Sequence, residues 1–136
     1  MCVVAALTGA YARARGVEIL RELHEAAMVA VERYEAARGE MGDATGDVSV
    51  ELGDLLECDV SDADVVFVHA TCFTPELLGA TATKLARELK NGARVALVSK
   101  QFPEGWVFAK FDTGYRALAQ PQSAWKLDCF LYEIVR

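Results

Sequence analysis

The chain has 136 residues, 53% of them hydrophobic and 25% charged, and its 20 acidic against 14 basic residues give a net charge of −6. That length suits one domain with a modest core, and that charge excludes broad nucleic-acid binding driven by electrostatics alone. No apolar run nears the roughly 20 residues of a membrane-spanning helix. No basic segment precedes the apolar start MCVVAALTG, so it does not read as a secretory signal.

Residues 2–8, CVVAALT, are short and apolar, and Gly9 marks a helix stop. Residues 13–19 read as a strand, with Val17 and Ile19 on one face. The period then changes. From residue 20 to 38, Leu20, Leu23, Ala27, Val31 and Tyr34 recur at three- and four-residue steps, which predicts an amphipathic helix. Gly39 and the polar segment GEMGDATGD end it.

Residues 48–52 alternate as a strand and lead into GDLLECD. The run ADVVFVHA at 63–70 is continuous and apolar, as expected of a central parallel strand buried on both faces. A helix follows with clear punctuation. Thr74 is the N-cap, Pro75 sits at the first helical position, and Glu76 favours the positive end of the dipole. Leu78, Ala82, Leu85 and Leu89 form its buried stripe, and Asn91-Gly92 closes it. Lys84, Arg87, Lys90 and Arg94 read as a basic face, solvated or turned to an acidic partner.

Residues 93–99 are another strand. Beyond them, residues 106–111, 115–118 and 126–135 have strand character, and PQSAW between the last two predicts a turn and an antiparallel closing pair. This element order is an α/β sandwich, one domain over 1–136, with a mostly parallel sheet and a C-terminal antiparallel hairpin. The four cysteines (Cys2, Cys58, Cys72 and Cys129) lie far apart, with no CxxC pair and no histidine at ligand spacing. Buried free thiols in a reducing intracellular compartment, nucleus or cytoplasm, are expected, and no metal site.

Ligands of open parallel sheets settle beyond the carboxyl ends of the strands. Those ends carry Glu18, then Gly53-Asp54-Leu55, then His69 to Phe73, then Ser99-Lys100-Gln101-Phe102. The set suits a nucleoside. A strand-end carboxylate can accept two hydrogen bonds from a ribose diol, the role expected of Glu18. A second, one strand over, can accept from an adenine amine, the role expected of Asp54, with Leu55 covering the base. The plain alternatives stand beside these: a solvated strand end or cap for Glu18, a packing or hydrogen-bonding histidine for His69, a core aromatic for Phe73, a buried filler for Cys72.

The series GVEIL-x-x-LHEAA, V-x-L-GDLL, ADVVFVHATCFTPEL and L-x-NGARVALVSKQF, closed by SAWKLDCFLYEI, resembles the core of class I S-adenosylmethionine-dependent methyltransferases. Within that class it is most similar to the disruptor-of-telomeric-silencing (DOT) family of histone lysine methyltransferases. The resemblance covers nearly the whole chain and implies a Rossmann-like catalytic domain. It implies S-adenosyl-L-methionine as cofactor, Glu18 on its ribose and Asp54, with Gly53 and Leu55, at its adenine. It also implies that residues 69–73 line the methyl-transfer channel, with His69 and Phe73 as catalytic candidates, Phe102 beyond them, and a protein substrate such as a histone or nucleosome.

Two departures from the family pattern are visible. His69 stands where well-studied members carry asparagine, and no E/D-x-G-x-G-x-G turn occurs anywhere in the chain. That turn brings backbone amides to the methionine end of the cofactor. MCVVAALTG matches the helix that follows it, so the first strand and its loop are expected to be missing, leaving an unpaired sheet edge open to association. Two other functions are therefore carried forward: an inactive binding or scaffold module that keeps the fold, and a methyltransferase for a small-molecule or lipid amine.

Overall fold

A short helix, α1 (Cys2–Leu7), opens the chain, and it stops where Gly9 takes φ 67° and donates its N–H to the Ala6 carbonyl at 3.2 Å. The structure is a computed structural model that describes residues 1–41, 45–103, 108–110, 116–119 and 126–135. The chain divides into two compact units, Met1–Cys58 and Asp59–Arg136.

In the first unit α1 is followed by β1 (Arg13–Glu18), α2 (Arg21–Met41) and β2 (Asp47–Leu52). β1 and β2 pair in parallel, from Arg13 opposite Asp47 to Glu18 opposite Leu52. A parallel pair needs a crossover, and α2 supplies it. The helix begins three residues after Glu18 and runs to Met41, two residues past the predicted glycine stop. Its buried residues are Val31 and Tyr34, with Ala27 and Met28 half-buried. Leu20 and Leu23, expected in that stripe, are both 54% exposed, and Ile19 is exposed as well. Ile19 and Leu20 join the end of β1 to α2, and Leu23 lies in the first turn of the helix.

Ala6, Val31, Tyr34 and Val48 make the core here, with Cys2, Val3, Ala14 and Val50 packed against it. Polar ties surround that small cluster. The Tyr34 hydroxyl donates to the Gly46 carbonyl at 2.5 Å, Gly46 N–H reaches Ala6 O, and Asp47 N–H reaches Ala12 O at 2.8 Å. Residue 46 has to be glycine for steric reasons: a Cβ there would lie 2.1 Å from the Tyr11 carbonyl oxygen. His24 Nε2 lies 3.3 Å from the Val50 carbonyl and ties α2 to β2.

The second unit holds β3 (Val65–His69), α3 (Pro75–Glu88), β4 (Arg94–Val98), β5 (Phe108–Lys110), β6 (Arg116–Ala119) and β7 (Lys126–Ile134). The strands run in the order β3-β4-β7-β5, with β6 also on β7. β3 and β4 are parallel; β7 is antiparallel to β4, β5 and β6. The closing antiparallel pair is thus β6 with β7, while the PQSAW turn, like most of the expected strand around residue 106, lies outside the described residues. Both sheets are accounted for by α/β architecture, one parallel and one mixed.

α3 begins as its punctuation requires: Thr74 Oγ1 accepts from Leu77 N–H at 3.2 Å, Pro75 follows, and Glu76 is in the first turn. Leu78, Ala82, Leu85 and Leu89 are buried. Gly92, at φ 79°, makes the turn into β4.

Three expectations change. β3 stands at the end of its sheet among the described residues, with Val65 and Phe67 each 42% exposed, instead of buried on both faces. Of the basic face, Arg87, Lys90 and Arg94 are solvated as expected, though all four cations are matched by a carboxylate of this chain: Lys84 and Arg87 by Glu88, Lys90 by Asp64, Arg94 by Glu133. Lys84 is itself buried. Of the cysteines, Cys72 is exposed and the other three are half-buried, all as free thiols.

Candidate strand-end site

The ends of β1 and β2 meet through the last rungs of their ladder. Glu18 is opposite Leu52, and Gly53 N–H donates to the Glu18 carbonyl at 3.0 Å. Glu18 and Gly53-Asp54 are thereby held on neighbouring strand ends, as the parallel register demands. Each carboxylate then bonds to the backbone just after it. Glu18 Oε1 accepts from Leu20 N–H at 2.9 Å, at the entry to α2, and Asp54 Oδ1 accepts from Leu56 N–H at 2.7 Å. The Asp54 carbonyl also accepts from Glu57 and Cys58 N–H, closing a tight turn around Leu55, which is half-buried.

These carboxylates are therefore caps, as strand-end acids commonly are, and each keeps one oxygen with no partner among the described residues. An acceptor-only oxygen of this kind suits a hydroxyl or an amine donor. Each carboxylate can accept such a donor with no change to its backbone bond. Glu18 and Asp54 are half-buried, and Gly53 leaves only ordinary contact distance to Val17 Cγ1, 3.8 Å from where a Cβ would be.

The ends of β3 and β4 are built differently. His69 closes β3, and the chain then turns, with Ala70 N–H on the Val98 carbonyl and Phe73 N–H on the Ala70 carbonyl. Lys100 Nζ donates to the Phe73 carbonyl and so fastens the far end of that turn to the segment after β4. Between them the side chains link. Thr71 Oγ1 lies 2.9 Å from Ser99 Oγ and 3.4 Å from His69 Nε2.

Ser99 has φ 75° and is the sole described non-glycine residue with positive φ. That left-handed conformation costs a residue bearing a Cβ on the order of 1–2 kcal/mol. The Ser99 N–H bond to the Asp128 carbonyl, 2.8 Å, holds it there. Phe73 is half-buried and Cys72 exposed. Phe102 does not extend this rim: it is buried, its ring centroid 5.0 Å from that of Tyr132, and its N–H donates to the Tyr132 hydroxyl. Burial pushes the Tyr132 phenol up from its ordinary value, an effect opposed by that bond from Phe102.

Thr71 and Ser99 stand among the strand-end residues of the sequence, with no role that the sequence assigns them. Their signal was available in part, since a hydroxyl follows each of two consecutive strands; the positive φ that orients Ser99 has no mark in a one-letter code. Among the described residues no cluster of His, Cys, Asp and Glu could hold a metal ion, and no helix is long and apolar enough to cross a membrane.

No family model matches the chain, and no curated protein matches it significantly. Solved structures do. An RNA methyltransferase from Salinibacter ruber, in complex with S-adenosyl-L-homocysteine, superposes with a TM-score of 0.70 at 22% identity, over 98% of this chain and 72% of that one. A SAM-dependent methyltransferase from Methanosarcina mazei gives 0.69 at 15% identity, over 97% and 85%. The N-methyltransferase NodS from Bradyrhizobium japonicum, also with S-adenosyl-L-homocysteine, gives 0.63 at 13%, over 98% and 74%. The chain has the Rossmann-like fold of these SAM-dependent methyltransferases.

Proposed function

We propose that the chain binds S-adenosyl-L-methionine and serves methyl transfer to an amine, with a protein lysine, as in the DOT family it resembles, as the acceptor. The observation that carries this reading is the pair of carboxylates on adjoining parallel strand ends, Glu18 and Asp54, each with a free oxygen, in a fold shared with methyltransferases.

Glu18 would hold the ribose hydroxyls and Asp54 the adenine amine, with Gly53 and Leu55 beside the base. The cofactor, when bound, supplies an electrophilic methyl group on a sulfonium. The chain's own work is alignment and exclusion of water, because an amine attacks only when neutral and in line. By the same resemblance, Phe73 is the candidate for an apolar wall. His69, at the mouth of the same turn, can orient the amine or accept its proton.

Isothermal calorimetry with S-adenosylmethionine is the direct test. Binding is expected, with Glu18→Ala weakening it at least tenfold and Asp54→Ala less. Absence of heat would remove this reading and favour the second one, a binding module that keeps the fold, for which the lack of an E/D-x-G-x-G-x-G turn in the sequence speaks. Radiolabelled methyl transfer to histones, to small amines and to RNA then separates the acceptors; label on RNA or small amines alone would overturn the protein-lysine assignment.

A further inference from the structure

We propose that Thr71 and Ser99 are positioning residues whose paired hydroxyls fix the His69 imidazole with its Nε2 engaged and its Nδ1 presented as the basic nitrogen. The role of His69 toward an amine rests on the methyl-transfer reading above; the hydroxyl relay itself does not.

The contacts run in one line, from His69 Nε2 to Thr71 Oγ1 at 3.4 Å and on to Ser99 Oγ at 2.9 Å. A hydroxyl has one proton to give, so the line has two possible directions. If Ser99 donates to Thr71 and Thr71 to Nε2, the imidazole carries its proton on Nδ1. Gaining a second proton at Nε2 would then require both hydroxyls to turn around. If Nε2–H donates to Thr71 and Thr71 to Ser99, Nδ1 keeps its lone pair. A proton can then arrive at Nδ1 with no hydroxyl reoriented, because every donor in the line already points away from the ring. Polar groups set in advance for the charged state are the economical arrangement for a base.

The backbone supports a dedicated role for the serine. Ser99 sits at φ 75°, where glycine would be at ease and a Cβ is strained. Strain of this type gathers at functional sites, and here it aims one hydroxyl at Thr71 across the ends of two hydrogen-bonded parallel strands. A purely architectural turn would be better served by glycine. The hydrogen bond from Ser99 N–H to the Asp128 carbonyl and that from the Lys100 ammonium to the Phe73 carbonyl hold the two segments that carry the pair.

Nitrogen-resolved NMR of the imidazoles tests this cleanly, since the protein has two histidines, His24 and His69. For neutral His69 the nitrogen shifts are expected to report a single tautomer, protonated at Nε2. Thr71→Val and Ser99→Gly should move those shifts toward the mixed values of a free imidazole, and leave those of His24 unchanged. Ser99→Asn, which tolerates positive φ and restores a polar group, should return them toward the parent. Ser99→Gly removes the backbone strain, so it should melt no lower than the parent, and a loss of signal cannot then be assigned to unfolding. Identical His69 shifts in all four proteins, or a Nδ1–H tautomer in the parent, would overturn the relay. Where histone methylation is measurable, Ser99→Gly should lower kcat roughly tenfold to a hundredfold with KM for S-adenosylmethionine unchanged. If no methylation is seen, the acceptor role of His69 falls, while the NMR result still decides the relay.

Discussion

The two units hold themselves together by different means. The largest fully buried side chains, Leu85, Leu89, Leu97, Ile134, Val95, Val98 and Thr81, all belong to the second unit. Among the described hydrophobic residues of the first unit Ala6 alone is completely buried, and Val31, Tyr34 and Val48 keep a little exposure. The second buries apolar side chains from both its capped helix and its strands. The first leans on close backbone approaches and on hydrogen bonds from side chains to main chain: Tyr34 to Gly46, His24 to Val50, Arg38 to Thr45. The same contrast recurs at the strand ends, where the first unit's acids bond to their own backbone and the second unit's side chains bond to one another. The strand-end side chains are thus held by local backbone bonds in one unit and by a cross-strand contact in the other.

Truncation in the deeper core gives the largest expected effect. Leu85→Ala should cost about 3–4 kcal/mol, since the side chain is fully buried and its removal leaves a cavity. Val31→Ala should cost only about 1.5 kcal/mol, the value for two methyl groups at a partly covered site. Urea unfolding followed by circular dichroism measures both, and equal losses would break the contrast between the cores.

Gly46→Ala attacks the other strategy. The new Cβ would meet the Tyr11 carbonyl at 2.1 Å, and backbone atoms cannot step aside as a flexible side chain can. A loss of about 3 kcal/mol is expected, close to that of Leu85→Ala although only one methyl is added. A variant as stable as the parent would show that the close backbone approach at Gly46 is not the keystone of the first unit. Tyr34→Phe is the milder form of the same test. It leaves the buried Gly46 carbonyl without its 2.5 Å donor and should cost about 1–2 kcal/mol.

How much of this was legible beforehand follows from where the information resides. α3 was readable to its N-terminus because Thr74, Pro75 and Glu76 each act through local chemistry, and its buried stripe follows from a single period. The ladder-neighbouring placement of Glu18 and Asp54 was likewise accessible, because a parallel βαβ unit brings consecutive strand ends together. Three things were not. Leu20 and Leu23 fit the helical period and still face solvent, since periodicity says which side of a helix is apolar and not how far the sheet beneath it extends. The run VVFVH looks central because apolar composition does not reveal which strand has a neighbour on each side. The link from Thr71 to Ser99 joins residues 28 positions apart and depends on one left-handed φ, so no local pattern announces it. The basic face is solvated at Arg87, Lys90 and Arg94, as its spacing suggests, but that spacing says nothing about the burial of Lys84 or the carboxylates that other segments bring to Lys90 and Arg94.

The smallest effect separates the units by pH. In the second, Lys84 Nζ meets Glu88 Oε2 at 2.6 Å, with the lysine side chain 6% exposed and the glutamate 20%. The ammonium of Lys84, with help from Arg87, holds the Glu88 carboxyl below its ordinary value of 4.5. A carboxyl that is depressed in the folded state contributes stability that is complete above 4.5 and fades as the pH falls through the lower folded value. In the first unit, the Arg38–Asp47 pair is 33% and 67% exposed at 2.7 Å, where solvent screening leaves little net stabilisation. Melting temperatures at pH 6 and pH 3 should therefore fall less in Glu88→Gln than in the parent, by an amount equivalent to about 0.5 kcal/mol. Asp47→Asn should fall as the parent does. If Glu88→Gln tracks the parent across that interval, the pair under α3 contributes nothing, and the firmness of the second unit rests on its apolar side chains alone.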